Sequence, residues 1–430
     1  MMSTILEYQK IDKATLGIDE CQLSGLEKYL EKNNLSSALK VTTTGIKATS
    51  YVGVIKFKNT QIEILPKLIA PMVDDGVVSY DEREKILKNL LFMLSYTKKL
   101  DIKTTDSAKL TKDKNPFLEV LIREYANSLF ECLKRLTPKN YIREEDNLNY
   151  LRGKLLFTQN LKYNIANKAK FYCEFDEFSE NCVLNQLFYY VAACLYTISK
   201  NSKNKQLLKM ITDYFCDIKL VKFDSYKCER IKLTRQQKLF EKPFKLAKMF
   251  VEHSSVDLSK NKFENITLLW DMNKLFEEFI YQVIRRKIGV KVKAQAGKYL
   301  LKKGSNYKRK TKADIIVETD DRKIIIDTKY KKLENFDSVA SGDLYQVGMY
   351  CYLHDDTNCD DKNNKTVKTI LLYPQYPNSN YEEDFIYNTD DSYELEIKSI
   401  NLMVKDIKED IKNDSESILI KKLKNIIGLK

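Results

Sequence analysis

Over 430 residues the chain carries 73 Lys and Arg against 60 Asp and Glu, a net charge of +13, with 43% apolar residues and few Gly or Pro. Such length and apolar content suit two or three folded, helix-rich domains and exclude a linker or disordered chain. The basic surplus favours a polyanionic partner, and no apolar run is long enough to span a bilayer.

Nine cysteines are scattered without any C-x-x-C pair, which excludes a zinc ribbon and suits reduced thiols in a cytoplasmic protein. Cys351, His354 and Cys359 lie near one another, a weak basis for a metal site. The opening MMSTILEYQKID lacks the apolar core of a signal peptide, so a cytoplasmic protein with no membrane partner is expected.

Residues 1–100 read as mixed and β-rich. Tyr51–Phe57 and Gln61–Leu65 alternate apolar and polar residues around Lys58-Asn59-Thr60, which predicts a hairpin with one wet face, ended by Pro66. From about 85 to 255 helical spacing dominates. Phe117, Leu121, Tyr125, Leu129 and Leu133 form one stripe, and Leu184–Ile198 and Gln206–Phe215 form further helices, their aromatics serving as core.

A helix is predicted from Phe263 to about Lys287, striped by Leu269, Met272, Phe276, Phe279 and Val283. Glu277 borders that stripe, whereas Glu278 points nearly opposite. Lys291–Lys312 then holds nine basic residues and no acidic one, including Lys302, Lys303, Lys308, Arg309 and Lys310. Such a run suits phosphate contact, and equally a solvated loop.

The run TKADIIVETDDRKIIIDTKYK, Thr311–Lys331, organises the rest. Two β-branched runs around a polar turn predict a hairpin that brings Asp314 towards Asp327, with Lys329 on the face of Asp327. Two carboxylates can hold Mg²⁺, which lowers the pKa of bound water and steadies charge on phosphorus oxygens. A neighbouring lysine can activate that water or stabilise the transition state. A helix around Asp343–Leu353 places Gln346 and Tyr350 one turn apart on one face. Thr369–Tyr373 reads as a buried strand and Ser415–Ile427 as a final amphipathic helix.

Asp314 with Asp327-Thr328-Lys329 resembles the PD-(D/E)xK nuclease superfamily, Ala313 standing where the usual proline precedes the first Asp. Gln346-x-x-x-Tyr350 resembles the extra motif of RecB-like members. YVGVIKF and IEILPKL at 51–68, NYLRGKL at 149–155, FYCEFDEFSENCVLNQLF at 171–188 and MNKLFEEFI at 272–280 bring the resemblance to the McrC family, over roughly residues 45–375.

That resemblance implies an α/β chain of the α+β multidomain kind. Its domains would be a β-rich partner-docking domain (1–100), a helical middle region (101–260) and an endonuclease domain (261–430) with a central mixed sheet flanked by helices. It implies Mg²⁺ as cofactor, with Asp314, Asp327 and Glu277 as ligands. Lys329 would act in the chemistry, and Gln346 and Tyr350 would brace the site. The implied partners are double-stranded DNA and a ring of McrB-like AAA+ GTPase subunits, with the 51–65 hairpin a candidate docking element. No G-x-x-x-x-G-K-[ST] loop is present, so the chain is not itself the motor. Two competing expectations are a self-sufficient restriction endonuclease and a non-enzymatic activator or scaffold of a motor ring.

Overall fold

The computed structural model describes residues 2–58, 60–67, 80–97, 117–257, 262–303, 306–319, 322–354, 366–375, 382–386, 393–400, 402 and 418–429. They form two compact units, one from Met1–Lys114 with Leu268–Lys430 and the other from Asn115–Thr267. Elements of both kinds alternate throughout, giving a mixed α and β chain with several sheets.

One sheet of the first unit sets Met2–Leu6, Thr60–Leu65 and Tyr51–Phe57 side by side, followed by the end of the strand Lys262–Asp271. Gly53, at φ 136°, lies against the Leu268 carbonyl where a Cβ would collide. The hairpin expected at 51–65 forms, with Ile55 opposite Ile62. Its wet face forms only in part, at the half-buried Lys56 and the exposed Lys58. Gln61 and Glu63 are buried. Arg83 of the helix Tyr80–Tyr96 grips Glu63 with two bonds of 2.8 Å, and the Thr4 hydroxyl donates to Glu63 at 3.2 Å. This bidentate partner carries the carboxylate into the interior, so the hairpin is a core element.

The predicted helix from Phe263 is also corrected. Lys262–Asp271 is a strand and the helix is Met272–Val283, followed by a π turn at Ile284–Ile288. Asp271 caps its start by accepting from the Asn273 N–H at 3.1 Å. The buried Ile266, Thr267 and Leu268 precede that cap and suit a strand enclosed on both faces. Phe279 of the helix meets Phe92 and Tyr96 of Tyr80–Tyr96, ring centres 5.8 and 5.4 Å apart.

The other large sheet of this unit has six strands in the order Lys291–Lys303, Asn306–Glu318, Arg322–Thr328, Thr366–Pro374, Tyr393–Ile400, Glu382–Ile386. The first three are antiparallel, the next two join in parallel, and the last returns antiparallel. Parallel pairing of Arg322–Thr328 with Thr366–Pro374 needs a crossover, and the helix Ser341–His354 lies within it. Val347, Tyr350 and Cys351 of that helix share an apolar cluster with Ile316, Ile325, Leu371 and Ile397 of the sheet. The basic run Lys291–Lys312 is therefore mostly a two-stranded arm, Lys303 paired with Asn306 near its tip and Ala294 with Ile315 at its root. The final helix is Ile418–Ile426, and the predicted start at Ser415 lies outside the described residues, as do Asp320 and Asp321 in the polar turn of the 311–331 hairpin and Cys359.

In the second unit Phe117–Leu133, Val183–Ile198, Ser202–Tyr214 and Glu241–Glu252 are helices, and Phe117, Leu121, Tyr125 and Leu129 are fully buried as the stripe predicts. Asn140–Leu148, Lys154–Leu155 and Phe171–Ser179 add a three-stranded sheet that the helical reading missed. Among the described residues no helix is long and apolar enough to cross a membrane.

Candidate active site at the end of the central hairpin

The ladder between Asn306–Glu318 and Arg322–Thr328 ends at Ile315 opposite Ile326. One step further the register would set Asp314 against Asp327. There the strands part, and the Thr328 N–H loses its main-chain acceptor. Asp314 supplies one: its Oδ2 accepts from the Thr328 N–H at 2.9 Å and from the Thr328 hydroxyl at 3.0 Å. The first carboxylate is thereby fixed by the fold. On the other side Lys329 N–H donates to the Leu372 carbonyl at 2.9 Å, which sets the backbone beyond Asp327.

Asp327 is buried, 1% exposed. Lys329 Nζ lies 2.7 Å from its Oδ2. The approach is that of an ion pair off the line of a directed hydrogen bond, so this buried oxygen lacks an aligned donor. Burial pushes the Asp327 carboxyl up to about 6, the charge of Asp314 adds to the rise, and Lys329 opposes it. Burial alone would lower the Lys329 ammonium. Asp327 and Asp343 outweigh that effect and hold it above its ordinary value, so it is charged at neutral pH.

The ammonium has further acceptors. Gln346 Oε1 is 2.8 Å away and Asp343 Oδ1 is 3.4 Å away. Gln346 Nε2 donates to the Tyr350 hydroxyl at 2.7 Å, and that hydroxyl donates to the Lys312 carbonyl at 2.7 Å. The structure thus brings Lys329, Gln346 and Tyr350 into one chain of hydrogen bonds ending two residues before Asp314. Sequence reasoning passed over Asp343, although it sits three residues before Gln346 and seven before Tyr350, which places all three on one helical face.

Glu277 is half-buried, and Gln295 of the arm donates to its Oε1. Burial pushes this carboxyl up to about 6, the Gln295 bond opposes the rise, and Asp314 and Asp327 add to it. Glu277 therefore feels both hairpin carboxylates. Glu278 is half-buried too, not fully solvated as the helical wheel has it. Gln295 had no sequence signal; it stands at φ 51°, a left-handed conformation rare for a glutamine.

Of the basic residues singled out for phosphate contact, Arg309 and Lys310 are exposed on the arm. The side chains of Lys302, Lys303 and Lys308 lie outside the described residues. Lys310 packs over Gly297, where an added Cβ would strike its methylenes, and its Nζ is 5.7 Å from the Tyr299 ring centre. Lys291 and Lys293 are already paired with Glu318, at 2.6 and 2.7 Å.

The donor set suits a hard cation. Asp314, Asp327 and Glu277 offer carboxylate oxygens only, two of them raised by burial and mutual repulsion, with an under-satisfied buried oxygen on Asp327. Among the described residues no three acidic, His or Cys side chains cage an ion by themselves.

Comparison with known families sets the chain among components of restriction systems. A family model described as McrBC 5-methylcytosine restriction system component matches residues 46–374, and the chain belongs to that family. Among solved structures it resembles a chain in the half-complex from the tetradecameric assembly of Thermococcus gammatolerans McrB AAA+ hexamers with bound McrC. The TM-score is 0.73 at 21% identity, over 93% of this chain and 95% of that one. It also resembles a chain of the cryo-EM structure of the Thermococcus gammatolerans McrBC complex, at a TM-score of 0.53 and 24% identity over 67% and 88%. No curated protein sequence matches. The McrC likeness read from sequence motifs is upheld by the family match and by both structures.

Proposed function

We propose that the chain is the Mg²⁺-dependent endonuclease subunit of a modification-dependent restriction complex, hydrolysing phosphodiester bonds of double-stranded DNA. On this reading the six-stranded sheet and its helices are a PD-(D/E)xK domain. The observation that carries the reading is the Lys329 ammonium, held among Asp327, Asp343 and Gln346 with Asp314 across the hairpin end. A mere surface hairpin would leave its aspartate and lysine in water, whereas here the aspartate is 1% exposed and its charge is opposed by burial.

Asp314 and Asp327, assisted by Glu277, would hold Mg²⁺. Bound there, the ion supplies Lewis acidity and a more acidic water. The chain's own contribution follows from its charges. Lys329, held by its carboxylates, donates to the phosphoryl oxygens as negative charge builds on them. Gln346 and Tyr350 fix the direction of that ammonium. Arg309 and Lys310 on the arm would meet the DNA backbone, with the affinity but not the base selection that phosphate contacts give.

Selection would then come from a partner. The related assembly contains McrB AAA+ hexamers with bound McrC, and this chain, lacking a P-loop sequence, fits the place of the bound nuclease and GTPase activator. The test is plasmid cleavage with chain, AAA+ partner, nucleotide, Mg²⁺ and modified duplex, each omitted in turn. Cutting is expected only with all present. Efficient, site-specific cutting of unmodified DNA by the chain alone would make it a self-sufficient enzyme instead.

A further inference from the structure

An ammonium has three N–H donors. Around Lys329 Nζ stand Gln346 Oε1, hydrogen-bonded at 2.8 Å, and two ion-pair carboxylates, Asp327 Oδ2 at 2.7 Å and Asp343 Oδ1 at 3.4 Å. The other oxygen of Asp343, Oδ2, takes Lys331 Nζ at 2.8 Å. Asp343 is thus a bridging carboxylate, half-buried in the first turn of the helix Ser341–His354, where the helix N-terminus favours its charge. Its own N–H is tied to the Ala340 carbonyl at 2.8 Å.

The two carboxylates on the ammonium have different prospects. Asp327 is the one a divalent cation would engage, and that cation would repel the neighbouring ammonium. Gln346 is neutral and supplies direction without countercharge. From this geometry we propose that Asp343 is the positioning residue for Lys329: it holds the ammonium at the site when Asp327 turns to the cation. The inference rests on the nuclease reading above. It gives Asp343 a task distinct from cation binding, since its two oxygens are occupied by lysines.

The test compares Asp343→Asn, Asp343→Glu, Asp327→Asn and Lys329→Ala in two measurements on the full chain. One is the cleavage rate at saturating modified DNA and Mg²⁺ with the AAA+ partner. The other is the rise in unfolding temperature caused by Ca²⁺ in the chain alone, which reads cation binding without turnover. Asp343→Asn should cut roughly 10- to 100-fold more slowly, the scale of one lost charge-assisted contact, while keeping the Ca²⁺ response. Asp343→Glu should recover part of the rate, and Asp327→Asn should lose both rate and Ca²⁺ response. Full-rate cleavage by Asp343→Asn, with Lys329→Ala inactive, would overturn this proposal alone. Loss of the Ca²⁺ response in Asp343→Asn would overturn it as well, by making Asp343 a cation ligand. Full activity of Lys329→Ala and Asp327→Asn would instead overturn the nuclease reading beneath it.

Discussion

Replacing Asp327 by Asn should stabilise the cation-free protein. The carboxyl rises from 3.8 to about 6 on folding, so the fold disfavours its ionised form. The penalty is absent well below pH 4, grows between about 4 and 6, and is complete above 6. At 1.36 kcal/mol per pH unit the gap corresponds to about 3 kcal/mol, with the attraction of Lys329 already included. Asn has the shape of the neutral acid and carries no such penalty, while Lys329 keeps Asp343 and Gln346. Urea unfolding in EDTA should therefore show Asp327→Asn more stable than the parent by about 1–3 kcal/mol at pH 7.5, and by less than about 1 kcal/mol at pH 4.5. Divalent cation should stabilise the parent and not the variant. A variant less stable than the parent at pH 7.5, or a difference that does not change with pH, would refute the claim that this carboxylate is held at the expense of the fold.

Two further outcomes follow from the arm and the helix. Arg309→Ala with Lys310→Ala should weaken binding of the chain to duplex DNA in Ca²⁺ and reduce the salt slope of log K by about 2, one unit per lost phosphate contact; an unchanged slope would remove these residues from the DNA path. Glu277→Gln should raise the Mg²⁺ concentration needed for half-maximal cleavage more than Glu278→Gln does, because Glu277 is the carboxylate coupled to Asp314 and Asp327. Equal Mg²⁺ titrations of the two variants would show that this coupling does not serve the cation.

The hairpin was legible because its signals are local. Ile315–Val317 and Ile324–Ile326 are β-branched runs separated by a polar turn, and the register they fix carries Asp314 and Lys329 with it. The helix at 272 was legible in type but not in start. Leu269 falls three residues before Met272 and seven before Phe276, so the helical stripe ran backwards into a strand whose residues are buried on both faces. Burial of the 51–65 hairpin was hidden for another reason. Glu63 enters the core on account of Arg83, twenty residues away on another element, and no local pattern announces a distant ion pair. Asp343 was within reach, since its spacing to Gln346 and Tyr350 is helical. Gln295 was not, because its contact with Glu277 depends on an unusual φ in a strand that the sequence shows only as a basic run.

The central claim is that Lys329, braced at the end of this hairpin, works on a scissile phosphate. The direct measurement is cleavage of modified duplex by the reconstituted complex with Lys329→Ala in place of the parent chain, with stimulation of the partner's nucleotide hydrolysis recorded in the same reaction. The account predicts cleavage reduced by at least about a hundredfold, with stimulation retained. Undiminished cleavage by Lys329→Ala would contradict it.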